Sequence, residues 1–419
     1  MKQLNVFYED LLVGILTRND DLVYGFNYSK SWQQHSKGFP LSLAMPLAQD
    51  TFGNRITLSY FENLLPEGDV KENLERSHGI TGVFDFLENY GKDCAGAIIV
   101  TDQKDYIMPI DPEQTISIDM KKVYSAIDEK NSVADVIANM NPGYLSLAGA
   151  QDKFPAIYQD GVFLIPTQGA PTTHIVKAPI QHTGIKESVF NEYYCMELAR
   201  EIGFNIPHCF IAEGDHPLFV IERYDRYRDQ RGIVHRIHQQ DFCQAHGKTS
   251  EFKYEDKGGP TLKENYLLIT SNIQPASRVK SIQSYLEWIS FNLLIGNHDS
   301  HSKNISFLLR NTRNELAPFY DLLCTSIYPR LKRQFSFKIG DRDDFTLIGG
   351  NQIKLLEKDL GLKEGVFRNC FKRINDKILE FKDPVAERIC TTFPKAKIPK
   401  RISTLIADRS KSFKLQGAL

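Results

Sequence analysis

Three oxygen-bearing side chains, Asp299, Asn304 and Asp321, have types and an order suited to phosphoryl transfer. That chemistry needs a carboxylate to orient or deprotonate an attacking hydroxyl, and hard oxygen donors for the magnesium that bridges the phosphates. Asp299 and Asn304 stand five positions apart in Ile295-Gly296-Asn297-His298-Asp299-Ser300-His301-Ser302-Lys303-Asn304, directly after a strongly apolar run. Asp321 follows in Pro318-Phe319-Tyr320-Asp321. The succession of base, metal ligand and second metal ligand is that of a catalytic loop for nucleotide-dependent transfer. His301 and Lys303 add donors that could neutralise charge on a transferring phosphate. Two plainer readings stand beside this one. His298, Asp299 and His301 could ligate a transition metal, or the stretch could be a polar loop after a helix. Asp-x4-Asn alone is common, so its weight depends on what lies upstream.

Upstream, Lys177 sits in the strand-like Thr173-His174-Ile175-Val176-Lys177. A strand lysine flanked by apolar residues is rare unless its ammonium meets an anion. Phosphates, or Glu192 early in the next helix, are plausible partners; an edge lysine reaching solvent is the plainer reading. Phe219-Val220-Ile221-Glu222-Arg223-Tyr224-Asp225-Arg226 is an apolar strand running into charge. Such a link could offer backbone groups to an adenine edge, with Asp225 near the ribose, or it could be an ordinary strand end. Leu145-Ser146-Leu147-Ala148-Gly149-Ala150-Gln151-Asp152-Lys153 places small residues between two candidate strands, where successive amides could cradle phosphates. It matches neither GxGxxG nor the Walker pattern.

The elements that must position these residues follow from the pattern of apolar and turn residues. Residues 1–105 read as β-rich, with strands at Leu4–Tyr8, Leu22–Tyr28, Ile56–Tyr60 and Ala97–Thr101 and a helix near Val70–Ser77. A connector over 106–144 carries a helical run near Met120–Ala138 and ends at the turn signal Asn141-Pro142-Gly143. Residues 145–280 read as a nucleotide-binding α/β lobe. It holds a hairpin around Gln159-Asp160-Gly161, a strand His174–Ala178, a helix Glu187–Ile202 and a strand Leu218–Glu222. Residues 281–419 read as mostly helical, from Ile282–Leu294 onward, and carry the catalytic loop. The expected class is α+β, with a β-rich N-terminal subdomain and a two-lobed core whose C-terminal lobe is helical.

The totals narrow the function classes. With 419 residues, 42% hydrophobic and 25% charged, the chain suits an ordinary soluble globular protein of two or three units. A net charge of −1 argues against bulk polyanion binding. The basic stretch from Lys395 to Lys414 reads as a solvated helix face, with a nucleic-acid or partner contact left open. Seven scattered cysteines without a CxxC pair indicate neither a disulfide framework nor a zinc ribbon. No apolar run approaches a membrane span, and the N-terminus leads straight into strand sequence, so a reducing cytoplasm is expected.

Together these segments resemble the HipA family, the kinase toxins of type II toxin–antitoxin modules. The resemblance is carried by SLAGAQDK (Ser146–Lys153), THIVKAP (Thr173–Pro179), NEYYCMELAREIG (Asn191–Gly203) and VIERYDR (Val220–Arg226). It continues through HRIHQQDFCQAHG (His235–Gly247), IGNHDSHSKN (Ile295–Asn304) and APFYDLL (Ala317–Leu323), in the family's order. NLLPEG (Asn63–Gly68) and GKDCAGAI (Gly91–Ile98) look like the family's N-terminal subdomain.

The resemblance implies an ATP- and Mg2+-dependent serine/threonine protein kinase with a kinase-like core. Asp299 would be the catalytic base, and Asn304 and Asp321 the magnesium ligands. Lys177 would contact the ATP phosphates, and Glu222, Arg223 and Tyr224, with Asp225, would form the nucleotide link. Ala148, Gly149, Ala150, Gln151, Asp152 and Lys153 would form the phosphate loop. His301, Ser302, Lys303 and Tyr320 would approach the nucleotide. Ser146 matches the serine that family members autophosphorylate to switch themselves off. The implied protein substrate is an aminoacyl-tRNA synthetase. The implied partner is a helix-turn-helix, HipB-like antitoxin, through which operator DNA would mainly be reached; no membrane partner is implied. Asp321 is followed by Leu322-Leu323 rather than Phe-Gly, which puts an activation-loop switch of the usual kind in doubt. An antitoxin-binding co-repressor scaffold and a small-molecule or lipid kinase are the alternatives.

Overall fold

A computed structural model describes residues 1–107, 114–141, 143–144, 149, 151–167, 169–310 and 313–419. The chain forms two compact units. The first contains 1–181, 212–250 and 306–317, and the second contains 182–211, 251–305 and 318–419.

The first unit opens with an antiparallel sheet in the order Thr51–Phe52, Tyr24–Tyr28, Leu11–Arg18, Lys2–Tyr8, Ile98–Thr101. Apolar residues alternate inward, so Leu4, Val6, Val13, Leu16 and Phe26 are buried. Gly14 is required by crowding: a Cβ there would lie 2.3 Å from the Asn27 carbonyl oxygen. The helix Asn54–Phe61 closes over this sheet, with Phe61 and Phe26 rings 5.7 Å apart. The run Ile56–Tyr60, expected as a strand, is thus helical. A short alternating run with β-branched residues fits either period, and burial of Thr57, Tyr60 and Phe61 on one side of the helix decides it.

Five strands of a second sheet lie in the same unit, in the order Leu218–Glu222, His174–Lys177, Lys153–Gln159, Val162–Pro166, Thr115–Ser117, each antiparallel to the next. Its hairpin turns at Asp160 and Gly161, whose φ values of 51° and 80° match the right-handed twist of the flanking strands. Two helices, Met120–Asp128 and Val133–Met140, replace the single run expected over 120–138. A small sheet pairs Gln239–Asp241 with Ser306–Arg310 and the latter with Arg313–Leu316.

The second unit is largely helical. Thr261 and Glu264 form a reciprocal capping box at the start of Leu262–Asn272. Pro275 opens the helix Pro275–Ile295, and Gly296, at φ 74°, ends it. Trp288, Phe291 and Leu294 of this helix are buried. The long helix Val366–Thr392 packs on it, on Ser188–Glu201 and on Ile398–Leu415. A hairpin, Gln334–Ile339 with Arg342–Asp344, interrupts the region read from sequence as mostly helical. Among the described residues no helix is long and apolar enough to cross a membrane.

Candidate active site

In the second unit the chain leaves the buried helix Pro275–Ile295 at Gly296 and enters the loop that carries Asp299. Asn297, fully buried, organises this loop. Its Oδ1 accepts from the Asp299 backbone N–H at 3.1 Å, and its Nδ2 donates to the Asp321 carbonyl at 3.3 Å. Asn304 Nδ2 donates to the Asp299 carbonyl at 2.8 Å. The backbone of Asp299 is therefore fixed on both sides, and the three residues singled out by spacing are joined through two amide side chains.

Asp321 itself has φ 57°, a left-handed conformation uncommon outside glycine but better tolerated by Asp than by most residues. Such a departure points to a local constraint at this position. Its neighbours hold it there: Asn191, on the helix Ser188–Glu201, pairs with both backbone groups of Cys324, donating to the carbonyl at 2.9 Å and accepting from the N–H at 2.8 Å.

The Asp299 side chain is 46% exposed, so a substrate hydroxyl can reach it. Its Oδ1 accepts from the Tyr254 phenol and lies 3.8 Å from His301 Nε2. Lys303 is buried, and its carbonyl accepts from the Tyr320 hydroxyl at 2.7 Å. The Ser302 hydroxyl accepts from Asn265 at 3.0 Å.

His298 is not available as a metal ligand. Nδ1 faces the Lys332 carbonyl at 2.9 Å, so it carries the proton, and Nε2 faces the Ser326 hydroxyl at 2.9 Å. Burial pushes its pKa down to about 4, aided by the charges of Arg409 and Arg333. Arg409, on the helix Ile398–Leu415, donates to Ser326 at 2.7 Å. Among the described residues no group of three or more His, Cys, Asp or Glu side chains could hold a metal ion. The two hydrogen bonds of His298 weigh against its part in the transition-metal reading.

In the first unit, Lys177 is buried at the end of its strand, opposite Lys153 on one neighbour and Phe219 on the other. Its ammonium lies 5.9 Å from the Phe219 ring centre. Like charges placed directly opposite across a sheet repel. Gly149 adopts φ 108°, and a Cβ there would come 2.9 Å from the Lys153 ammonium. Gln151 donates to the Ala178 carbonyl at 3.1 Å, tying this loop to the end of the Lys177 strand. Ser146, Ala148 and Ala150 lie outside the described residues.

Three predicted nucleotide contacts have side chains committed elsewhere. Asp152 accepts from Ser132 Oγ and from the Val133 and Ala134 amides, at 3.0, 2.7 and 3.1 Å, and so caps the helix Val133–Met140. Burial nevertheless raises its pKa. Arg223 and Asp225 turn into the interior, into an ion cluster with Asp93, Arg226 and Arg236. Arg223 reaches Asp93 at 2.9 Å and Asp225 at 2.9 Å. Arg226 reaches the same two carboxylates at 2.9 and 3.0 Å, and Arg236 reaches Asp93 at 3.3 Å. The Thr172 hydroxyl donates to Asp93, and the Gly96 amide to Asp225 at 2.7 Å. Burial alone would raise the Asp93 pKa, but the three guanidiniums overcome it and hold it low. Asp225 is likewise held well below the usual carboxylate range. In the same link Glu222 is exposed and Tyr224 is bonded to Gln239 at 2.6 Å, while the Arg223 backbone donates to the Thr173 carbonyl at 2.9 Å and accepts from the Arg226 amide at 3.2 Å.

Tyr254 and Asn297 escaped the sequence reading. Asn297 lies inside the quoted motif and only its role was missing. Tyr254 stands far upstream of Asp299, with no spacing rule to connect the two.

Residues 145–380 match the HipA-like C-terminal domain, and residues 4–101 match the HipA N-terminal domain. A Sinorhizobium fredii protein named as a kinase is 33% identical over 99% of both chains. The serine/threonine-protein kinase toxin HipA of Shewanella oneidensis is 31% identical over 90% of this chain and 87% of its own. A solved structure of Shewanella oneidensis HipA with HipB and operator DNA superimposes with a TM-score of 0.82 at 28% identity, covering 99% of this chain and 98% of that one. The α+β, kinase-like fold, the order of the motifs and these matches together place the chain in the HipA family of serine/threonine-protein kinase toxins.

Proposed function

We propose that the chain is an ATP- and Mg2+-dependent protein kinase in which Asp299 accepts the proton of the attacking serine or threonine hydroxyl. The observation that carries this reading is the Asn297 bridge between the Asp299 amide and the Asp321 carbonyl. It ties the backbone of Asp299, whose carboxylate is 46% exposed, to that of Asp321. Asn304, its amide nitrogen engaged by Asp299, presents Oδ1 as a donor, and Asp321 contributes a carboxylate. This oxygen set fits Mg2+. Bound Mg-ATP supplies the γ-phosphoryl group and the charge compensation for its transfer. Lys177 and Lys153, with Gly149 and Gln151, serve the phosphates, and the backbone of Glu222, Arg223 and Tyr224 serves the adenine. Lys303, His301, Ser302 and Tyr320 shape the loop that meets the nucleotide.

The finer assignments rest on the family resemblance. They are inactivating autophosphorylation at Ser146, an aminoacyl-tRNA synthetase as substrate and a HipB-like helix-turn-helix antitoxin as partner. The Shewanella complex of HipA with HipB and operator DNA supports the partner. A net charge of −1 favours reaching DNA through the antitoxin rather than directly. Cysteines that form no disulfide among the described residues suit a cytoplasmic location.

Incubation with Mg-ATP followed by intact and peptide mass tests the reading. One phosphoryl group on the Ser146 peptide is expected in the wild type and none in Asp299→Asn, which should still bind ATP because the base is not a nucleotide contact. Undiminished transfer in Asp299→Asn would refute the assignment of the base.

A further inference from the structure

Tyr254 is the one side chain that hydrogen-bonds the Asp299 carboxylate among the described residues, and the loop around it is built to hold it there. The Tyr254 carbonyl accepts from the Lys257 amide at 3.1 Å and the Gly259 amide at 2.9 Å, which closes a tight turn after the ring. That turn admits only glycine at 259, where a Cβ would lie 2.2 Å from the Phe252 carbonyl oxygen, and Gly258 takes φ 82°.

The turn is then stitched to its surroundings within the second unit. The Lys253 carbonyl accepts from the Ser302 amide in the catalytic loop at 3.4 Å. Glu255 accepts from the Lys338 amide at 2.9 Å, and Asp256 pairs with Lys332 at 2.7 Å. The ring itself stands edge-on to His301, with centres 5.1 Å apart. Lys253 and Lys257 ammoniums lie 5.5 and 6.0 Å from its centre. A phenol fixed by so many neighbours is preorganised, and little ordering remains to be done when substrate arrives.

We propose that Tyr254 is a positioning residue for phosphoryl transfer: its hydroxyl holds Asp299 Oδ1 and so turns Oδ2 toward the incoming hydroxyl. The inference rests on Asp299 being the base. Oδ2 accepts no hydrogen bond from the described residues. Without the phenol, rotation about χ2 would exchange the two oxygens, because His301 Nε2 at 3.8 Å is too far to hold the carboxylate in one orientation. A misaimed base costs rate without costing nucleotide affinity.

The test compares Tyr254→Phe, Asp299→Asn and the double variant. ADP formation from Mg-ATP counts transfer to any acceptor, the chain itself and water included. A fluorescent ATP analogue gives nucleotide affinity. Tyr254→Phe keeps the ring contacts and deletes one hydroxyl. It is expected to lower kcat on the order of 10- to 100-fold, the range for a hydrogen bond to a charged group. Nucleotide Kd and Tm should stay within error, and the double variant should be no slower than Asp299→Asn alone. A parallel loss of kcat, nucleotide affinity and Tm would reduce Tyr254 to a structural residue. An unchanged rate would overturn the proposal, and so would a rise, which would make the phenol a cap that must leave. Turnover retained in Asp299→Asn would instead sink the base assignment.

Discussion

Two histidines in this chain are kept neutral by their surroundings, and that sets a pH window for stability. His238 and His298 both have pKa values pushed down to about 4, in each case first by burial. For His298 the charges of Arg409 and Arg333 act in the same direction, while Asp344 and the hydrogen bond to the Lys332 carbonyl oppose it. For His238 the hydrogen bond to the Leu41 carbonyl and the Asp225 charge oppose burial and lose. In the unfolded chain an ordinary histidine titrates at ~6.5. As pH falls from there toward 4, the unfolded state binds protons that the folded state refuses, so stability declines across that window and levels off below it. The urea midpoint should fall between pH 7 and pH 4.5, and His298→Gln should reduce the slope of that fall. Asp93 and Asp225, held low, act in a separate window. Their contribution is complete above about pH 4, the unfolded carboxylate value, and is lost only as pH falls further.

The strand that carries Lys177 and the link that follows Glu222 owe their placement to the segment Lys92–Ala97, through the cluster of Asp93 and Asp225 with three arginines. Two carboxylates against three guanidiniums tolerate no loss of negative charge. Asp93→Asn leaves volume unchanged but strips the shared partner of Arg223, Arg226 and Arg236. It should destabilise the protein by about 3–5 kcal/mol in denaturant unfolding, the usual cost of an orphaned buried charge. A cost near zero would mean that water already compensates the arginines. This cluster shows what the sequence could not deliver. GKDCAGAI and VIERYDR were each visible as motifs, but no local pattern says that Asp93 and Arg223 meet across more than a hundred positions. The reverse holds for the hairpin at Asp160-Gly161, the strand Leu218–Glu222 and the helix Ser188–Glu201. Turn residues and apolar periodicity lie in contiguous sequence there, and the strand and the helix lie within one residue of their expected ends. Gln334–Ile339 was missed because its alternation is short and sits among helices; Ile56–Tyr60 was misread because five residues cannot distinguish two periods. The candidate residues Asp299, Asn304 and Asp321 stand out by order and spacing, whereas Asn297 and Tyr254, which bond Asp299 and Asp321, do not.

The two units are interleaved along the chain, each assembled from three separate segments. No single cut can release either one intact, so fragments ending near residue 181 or beginning there should fail to fold cooperatively. Within the second unit, the Asp299 loop is also tied to the helix Ile398–Leu415. Arg409 holds Ser326, Ser326 meets both the Gly296 carbonyl and His298, and the Arg409 guanidinium lies 4.2 Å from the Phe345 ring centre. Arg409→Ala should lower kcat and let His298 titrate above its present value of about 4, because a nearby positive charge has gone; an NMR titration of the His298 ring would show it. Synthesis proceeds from the N-terminus, and a nascent chain exposes Asp299 well before residue 409 has been made. A ribosome-bound chain therefore carries the Asp299 loop without its brace. The kinase would acquire a braced Asp299 loop only after its own synthesis has run almost to that helix.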